Sequence, residues 1–277
     1  MQSEKMCVVL LFGGMSSEHE VSRVSVGNFV NNIDREKYET LAVGITKEGR
    51  WLYTEATAAQ MADGSWEELA GNMPCVISPD RADHGMILFT PEGHVEKLHI
   101  DVVIPVLHGL WGEDGTVQGL LELAGIPYVG CGVLASAVCM DKAVAKRIME
   151  SAGILTPRWR EITYTAADVP ALVQELPVPC VVKAVDGGSS IGVSLPDTRE
   201  QLEQALYDVL RYGHRIVVEE KIVGREFTQP VLGDDYLSTI QIVPPEGSTF
   251  DYVAKYQSGA AAAQELCPAP CTEEEPV

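Results

Sequence analysis

Residues 6–22 read MCVVLLFGGMSSEHEVS, and the fold class turns on that stretch. Met6 to Phe12 are continuously apolar, the pattern of a strand covered on both faces rather than one alternating between core and water. Gly13-Gly14 stop the run. Ser16 and Ser17 follow as candidate helix N-caps, with Glu18 and Glu20 near the helix start. Strand, glycine turn and helix make the opening of a doubly wound sheet, and such sheets place ligands outside the carboxyl ends of their strands.

Outward from there, residues 37–53 suggest two more strands around a turn at Lys47-Glu48-Gly49. The pattern weakens from 54 to 100, where turn clusters at Ala62-Asp63-Gly64 and Pro91-Glu92-Gly93 indicate loops and hairpins. DVVIPVL (101–107) is the next buried strand and runs straight into HGLWGEDGT (108–116). A helix over 117–124, a short strand over 126–129 and an amphipathic helix over 141–152, ended by Gly153, complete the first part. A second unit follows, with strands at 179–185 and 191–195 flanking a glycine- and serine-rich turn. Thr198-x-x-Gln201 is a capping box that opens a helix over 199–211, whose apolar face is Leu202, Ala205, Leu206, Val209 and Leu210. A strand over 215–221 and two or three further β segments reach residue 256; residues 257–277 read as loop and an interrupted element.

The chain has 277 residues, 46% of them hydrophobic, enough for one large domain or two to three smaller ones with real cores. Twenty Lys and Arg against forty Asp and Glu give a formal charge of −20. That balance argues against sequence-independent nucleic-acid binding and against docking on an anionic membrane. The seven cysteines, an odd number set mostly in apolar stretches, read as reduced core thiols of a cytoplasmic protein. Cys267 and Cys271 lack the second pair that a zinc site would need. No apolar run reaches the roughly 18 residues of a transmembrane helix, and the N-terminal run carries no cleavage pattern.

Four stretches could carry chemistry. DGGSSIGVS (186–194) lies between two strands with Lys183 just upstream; its backbone N–H groups can converge on phosphate oxygens, although it is not a Walker A loop. GCGVLA (130–135) matches a dinucleotide fingerprint but lacks the acidic strand end that should follow, so a turn at a domain junction is the better reading. In HGLWGEDGT, His108, Glu113 and Asp114 can orient a substrate at a strand's carboxyl end; a hydrogen-bonded loop of turn formers fits that stretch equally well. EEKIVGRE (219–226) joins an apolar strand end to carboxylates suited to ribose hydroxyls.

In order, FGGMSSEHEVS (12–22), HGLWGEDGTVQGLLELAGIPYVGCGVLASAVCMDK (108–142), VKAVDGGSSIGVS (182–194), EEKIVGREF (219–227) and FDYVAKY (250–256) resemble the D-alanine–D-alanine ligases of the ATP-grasp class. The resemblance spans essentially the whole chain, and the block at 108–142 is its most specific part. It implies an α/β fold, α+β in the ATP-grasp part: an N-terminal doubly wound parallel-sheet domain (1–130), a central ATP-grasp subdomain (131–218) and a partial C-terminal subdomain (219–277). It also implies ATP-dependent joining of two D-alanines through a D-alanyl phosphate for peptidoglycan synthesis, with ATP and Mg2+ as cofactors and a possible homodimer. Glu18 would hold the ammonium of the first D-alanine, with His108 close by, and Ser189 and Tyr256 would complete a hydrogen-bonded set with Glu18. Lys142 and Lys183, with Gly188 and Ser190 of the loop, would bind the ATP phosphates. Glu219, Glu220 and Ile222 would line the adenine pocket, Glu226 would take the ribose hydroxyls, and Lys255 would sit near the transferred phosphoryl group. Tyr256 would favour the dipeptide over a D-lactate ester. Ala184, Gly187 and Val253 depart from the family pattern. The family continues past the CPA segment (267–269) into an Arg-x-Asp strand and a Glu-x-Asn motif that hold magnesium. Those ligands are therefore expected beyond residue 277, and no residue here is assigned to a metal. The alternatives are a chain that binds ATP or D-alanine without turnover, and a related D-amino-acid ligase.

Overall fold

A computed structural model of the chain describes residues 5–245, 250–256 and 262–271. The chain divides into two compact units, Met1–Ala152 and Gly153–Val277.

The first unit runs β1 (Met6–Gly13), α1 (His19–Asn32), β2 (Tyr38–Ile45), β3 (Trp51–Thr54), α2 (Ala58–Asp63), β4 (Met73–Ile77), β5 (Gly85–Phe89), β6 (Val95–His99), β7 (Val102–Pro105), α3 (Thr116–Ala124), α4 (Val133–Met140) and α5 (Lys142–Ser151). Its sheet has seven strands in the order β6-β5-β4-β3-β2-β1-β7. β1 pairs in parallel with both β2 and β7, so the opening strand lies inside the parallel part of the sheet. From β2 to β6 the pairings are antiparallel. The β2–β3 turn at 46–50 is far too short for a crossover, so the chain has to reverse direction there. The weak stretch 54–100 therefore supplies hairpin strands that widen the same sheet.

The unbroken apolar run of β1 is used on both faces. Val8, Leu10 and Phe12 enter a core with Val26 of α1, Met61 of α2 and Trp66, while Val9 and Leu11 enter another with Val43, Ile77, Val103 and the α3 residues Val117 and Leu121. Period-two alternation sorts neighbouring residues into opposite cores, and each fully buried aliphatic side chain contributes about 1.5–3 kcal/mol. The 130–135 run, read as a turn, turns after Gly132 into α4, and Gly132 occupies the N-cap.

The second unit runs β8 (Trp159–Thr163), α6 (Val169–Glu175), β9 (Cys180–Ala184), β10 (Val193–Ser194), α7 (Arg199–Val209), β11 (Arg215–Glu220), β12 (Glu226–Thr228), β13 (Val231–Leu232), β14 (Asp235–Tyr236), β15 (Ile240–Val243), α8 (Tyr252–Tyr256) and β16 (Gln264–Leu266). β10-β9-β11-β8 form an antiparallel sheet, β12-β15-β16 a second and β13-β14 a hairpin. The helix α7 starts at the expected capping box: Thr198 accepts the Gln201 amide and Gln201 reaches back to Thr198. Its buried face, Leu202, Leu206 and Val209, packs with Val169 and Leu172 of α6 on Cys180, Val182, Ile216 and Val218. Part of the 257–277 expectation lies outside the described residues; within it, β16 pairs with β15.

Candidate functional site

β1 and β7 run side by side, Leu11 opposite Pro105, so the segments that follow them emerge together at their carboxyl ends. Ser22 of α1 fastens that junction: its hydroxyl accepts the Gly13 amide at 2.8 Å and donates to the carbonyl of Val106. Ser16 fastens it again, donating to the His108 carbonyl at 2.6 Å and accepting the Glu18 amide at 3.1 Å. Neither Ser16 nor Ser17 caps α1. Glu18 occupies the N-cap position without a side-chain capping bond, and the Ser16 hydroxyl is turned toward the His108 loop.

Three ligand-type atoms, one each from Glu18, His108 and Glu113, lie within 4.8 Å of one another. Glu18 is 2% exposed. Gly109 donates its amide to Glu113 Oε2 at 2.7 Å and has φ +73°, and a Cβ there would lie 2.3 Å from Glu18 Oε2. Glycine at 109 is thus what lets the loop close on a buried carboxylate. A carboxylate removed from water favours a cationic partner, so the arrangement can receive an ammonium group. An apolar cavity of about 210 Å³, walled by Met15, Leu107, His108, Trp111 and Val117, adjoins it. Asp114, grouped with His108 and Glu113 in the sequence, serves the loop itself: its carboxylate accepts the amides of Trp111 and Thr116. Magnesium prefers oxygen ligands and water, so a cluster that contains an imidazole does not suit it. No magnesium site is assigned among the described residues.

In the second unit, Lys183 on β9 stands opposite Val217 on β11. That register brings its ammonium within 2.7 Å of the carboxylate of Glu219, two residues along on the same face, and Glu219 is 5% exposed. The loop that follows is pinched at its base, where the Ala184 amide donates to the Gly192 carbonyl at 2.9 Å. Within it Gly187, Ser189 and Ser190 all have positive φ, a left-handed conformation unusual for serine. Side chains hold the two serines there: Ser189 Oγ lies 2.7 Å from Tyr256 Oη, and Ser190 donates to the Phe250 carbonyl at 3.0 Å. Lys255 lies over the Phe250 ring, 4.9 Å from its centre. A loop of small residues with lysines beside it matches the donor set that phosphate oxygens require. Glu220 turns its carboxylate to Arg158, accepting the amide and Nε both at 2.8 Å. The Arg158 amide, and then its guanidinium, hold that carboxyl below the usual glutamate range. Ile222 and Glu226 are exposed, and Lys142 opens α5 in the first unit, half-buried.

Two family models cover this chain: that described as D-ala D-ala ligase N-terminus matches residues 7–131, and that described as D-ala D-ala ligase C-terminus matches 148–276. The chain belongs to the D-alanine–D-alanine ligase family. It is 44% identical to a D-alanine–D-alanine ligase of Ruminiclostridium cellulolyticum over 99% of this chain and 76% of that one. Against the Caldicellulosiruptor bescii ligase it is 42% identical over 91% of this chain and 70% of that one. Among solved structures, a D-Ala:D-Ser ligase from Enterococcus faecalis superposes with a TM-score of 0.79 at 32% identity, covering 98% of this chain and 78% of that one. The D-alanine–D-alanine ligase of Coxiella burnetii gives 0.73 at 31% identity, with 87% and 69% covered. These likenesses bear out the mixed α/β architecture read from the sequence. For this member of the ligase family, sequence reasoning missed Ser16 and Ser22 as tethers. Serines beside a glycine turn have too many local uses to reveal a partner about ninety residues away. Among the described residues no helix is long and apolar enough to cross a membrane.

Proposed function

We propose that this chain catalyses the ATP-dependent joining of two D-alanines in the cytoplasm, for cell-wall peptidoglycan. The observation that carries the reading is the 2.7 Å contact between Ser189 and Tyr256, residues 67 apart, which ties the strained glycine loop to the segment carrying Lys255. The family resemblance pairs the same two positions.

A carboxylate is a poor electrophile, so the first D-alanine must be activated. Its ammonium is held by Glu18 beside His108. Its carboxylate oxygen attacks the γ-phosphorus of ATP, the bond to ADP breaks, and D-alanyl phosphate forms. The amine of the second D-alanine then attacks the acyl carbon, phosphate leaves and the amine loses a proton. The protein contributes position and charge. Lys183, itself fixed by Glu219, and Lys142 neutralise the ATP phosphates, with Gly188 and Ser190 of the loop covering them; Lys255 stands by the phosphoryl in transit. Glu219, Glu220 and Ile222 border the adenine, and Glu226 takes the ribose. Magnesium, when bound, would offset charge on the phosphates. Division of the chain at about residues 130 and 218 into amino-acid, central and C-terminal parts, and pairing into a homodimer, belong to the same reading.

The test is product mass with ATP, magnesium and D-alanine. A dipeptide formed with one phosphate released per bond is the expected result; phosphate release without peptide overturns the assignment. The likeness to a D-Ala:D-Ser ligase favours a second reading, D-serine as acceptor. Equal mixtures of D-alanine, D-serine and D-lactate separate these outcomes in one experiment. Binding of D-alanine with no product would support the non-catalytic alternative.

A further inference from the structure

We infer that Ser16 is a positioning residue for the first D-alanine, acting through Glu18 and His108; this rests on the proposed ligase reading. Its hydroxyl donates to the His108 carbonyl at 2.6 Å and accepts the Glu18 amide at 3.1 Å, so one oxygen joins two loops 92 residues apart in sequence. Its Cβ also lies 3.2 Å from where a Cβ on Gly109 would stand, which puts Ser16 against the residue that closes on Glu18. Ser17, its neighbour, is exposed. Glu18 and His108 come from different strand ends, and their spacing depends on what ties those ends together. Ser22 ties the strands at their bases, through Gly13 and Val106, whereas Ser16 ties the ligand-bearing residues themselves. Without its hydroxyl, the His108 loop keeps its fold through Asp114 and Glu113 but loses its registration to Glu18.

The experiment compares the full chain with Ser16→Ala, Ser16→Thr and Ser17→Ala. D-alanine affinity is measured by calorimetry, KM for D-alanine and for ATP by steady-state kinetics, and the melting midpoint by circular dichroism. Loss of one such hydrogen bond weakens D-alanine binding about tenfold in Ser16→Ala. The KM for ATP stays at the wild-type value, Ser16→Thr recovers most of the loss and Ser17→Ala behaves as wild type. Unchanged D-alanine binding in Ser16→Ala overturns the role, as does equal weakening toward D-alanine and ATP with a lowered melting midpoint. Should Ser16→Ala not fold, Ser16→Thr and Ser16→Cys decide. Threonine keeps the donor and must retain most of the wild-type binding, while the weak thiol donor must bind less; equal behaviour overturns the role. A wild-type chain that neither binds D-alanine nor makes dipeptide removes the ligase reading, and this role with it. Wild-type binding with an unaltered Ser16→Ala removes the role alone.

Discussion

A methyl group at Gly109 would meet the Glu18 carboxylate at 2.3 Å on a backbone of φ +73°, so two independent costs fall on one substitution. Gly109→Ala is expected to raise the KM for D-alanine by tenfold or more through displacement of Glu18 or the His108 loop, since left-handed backbone alone costs about 1–2 kcal/mol. Because Gly109 lies in the connection between β7 and α3 rather than inside a strand or helix, the far-ultraviolet circular dichroism should stay unchanged. A variant with normal KM would mean that the loop does not close on Glu18 as described. At this scale legibility was uneven. Glu18 and His108 were readable because each follows a strand that the apolar pattern reveals. Ser16 and Ser17 were indistinguishable, as both precede the helix and only the fold decides which one faces His108. For Asp114 the sequence left substrate and turn equally open, because a carboxylate beside glycines suits both tasks; its carboxylate accepts the amides of the turn.

Among elements, the contact between β2 and the turn at Ser65–Glu68 offers the sharpest test. Trp66 is fully buried and meets Phe12 edge-on, with ring centres 4.8 Å apart. It packs so closely over Gly44 that a Cβ there would lie 2.2 Å from the indole. Gly44→Ala therefore forces the indole or the strand to move, and the stability loss should be about 1–3 kcal/mol. Urea unfolding followed by Trp fluorescence would report it as a lower midpoint; an unchanged midpoint would show that the indole yields freely. β1, β7, β9, β11 and α7 were legible because unbroken apolar runs, or a helical stripe with a capping box, leave few alternatives. β6 was not, since VEKLH is charged and largely exposed on an edge strand, where no buried face imposes alternation. β8 and α6 went unread because five and seven residues are too few for a periodicity to stand out. Two glycines ahead of α4 disguised its start as a turn.

For the molecule as a whole, the cysteines separate inside from outside. Burial pushes the Cys75 thiol up to about 12, and burial followed by Glu39 and Asp101 pushes Cys7 up to about 11. Cys131, Cys139 and Cys267 are exposed, while Cys75 and Cys180 are buried. At mildly alkaline pH a thiol reagent should modify the exposed three promptly and reach Cys75 and Cys180 only on unfolding, as mass spectrometry of the labelled chain would check. Rapid labelling of Cys75 in the folded protein would contradict the packing described. The sign of the linked stability follows: a thiol with pKa 9.0 when unfolded and about 12 when folded loses its proton first from the unfolded chain. The stability it contributes is complete below pH 9 and is lost as pH rises toward about 12. The chain divides between Ala152 and Gly153, at the glycine that ends the helix read over 141–152 and precedes the second unit.

The serines at 189 and 190 carry one more implication. Each sits in a conformation that disfavours it by about 1–2 kcal/mol, and each is tied by a hydrogen bond of similar worth. Contributions of that size oppose and largely offset each other, so the two bonds hold the strain in place more than they add to stability. A ligand that favours the clasped arrangement by a few kcal/mol would then weigh heavily in the balance. A glycine-only loop would carry neither the strain nor the hydroxyls that tie it down.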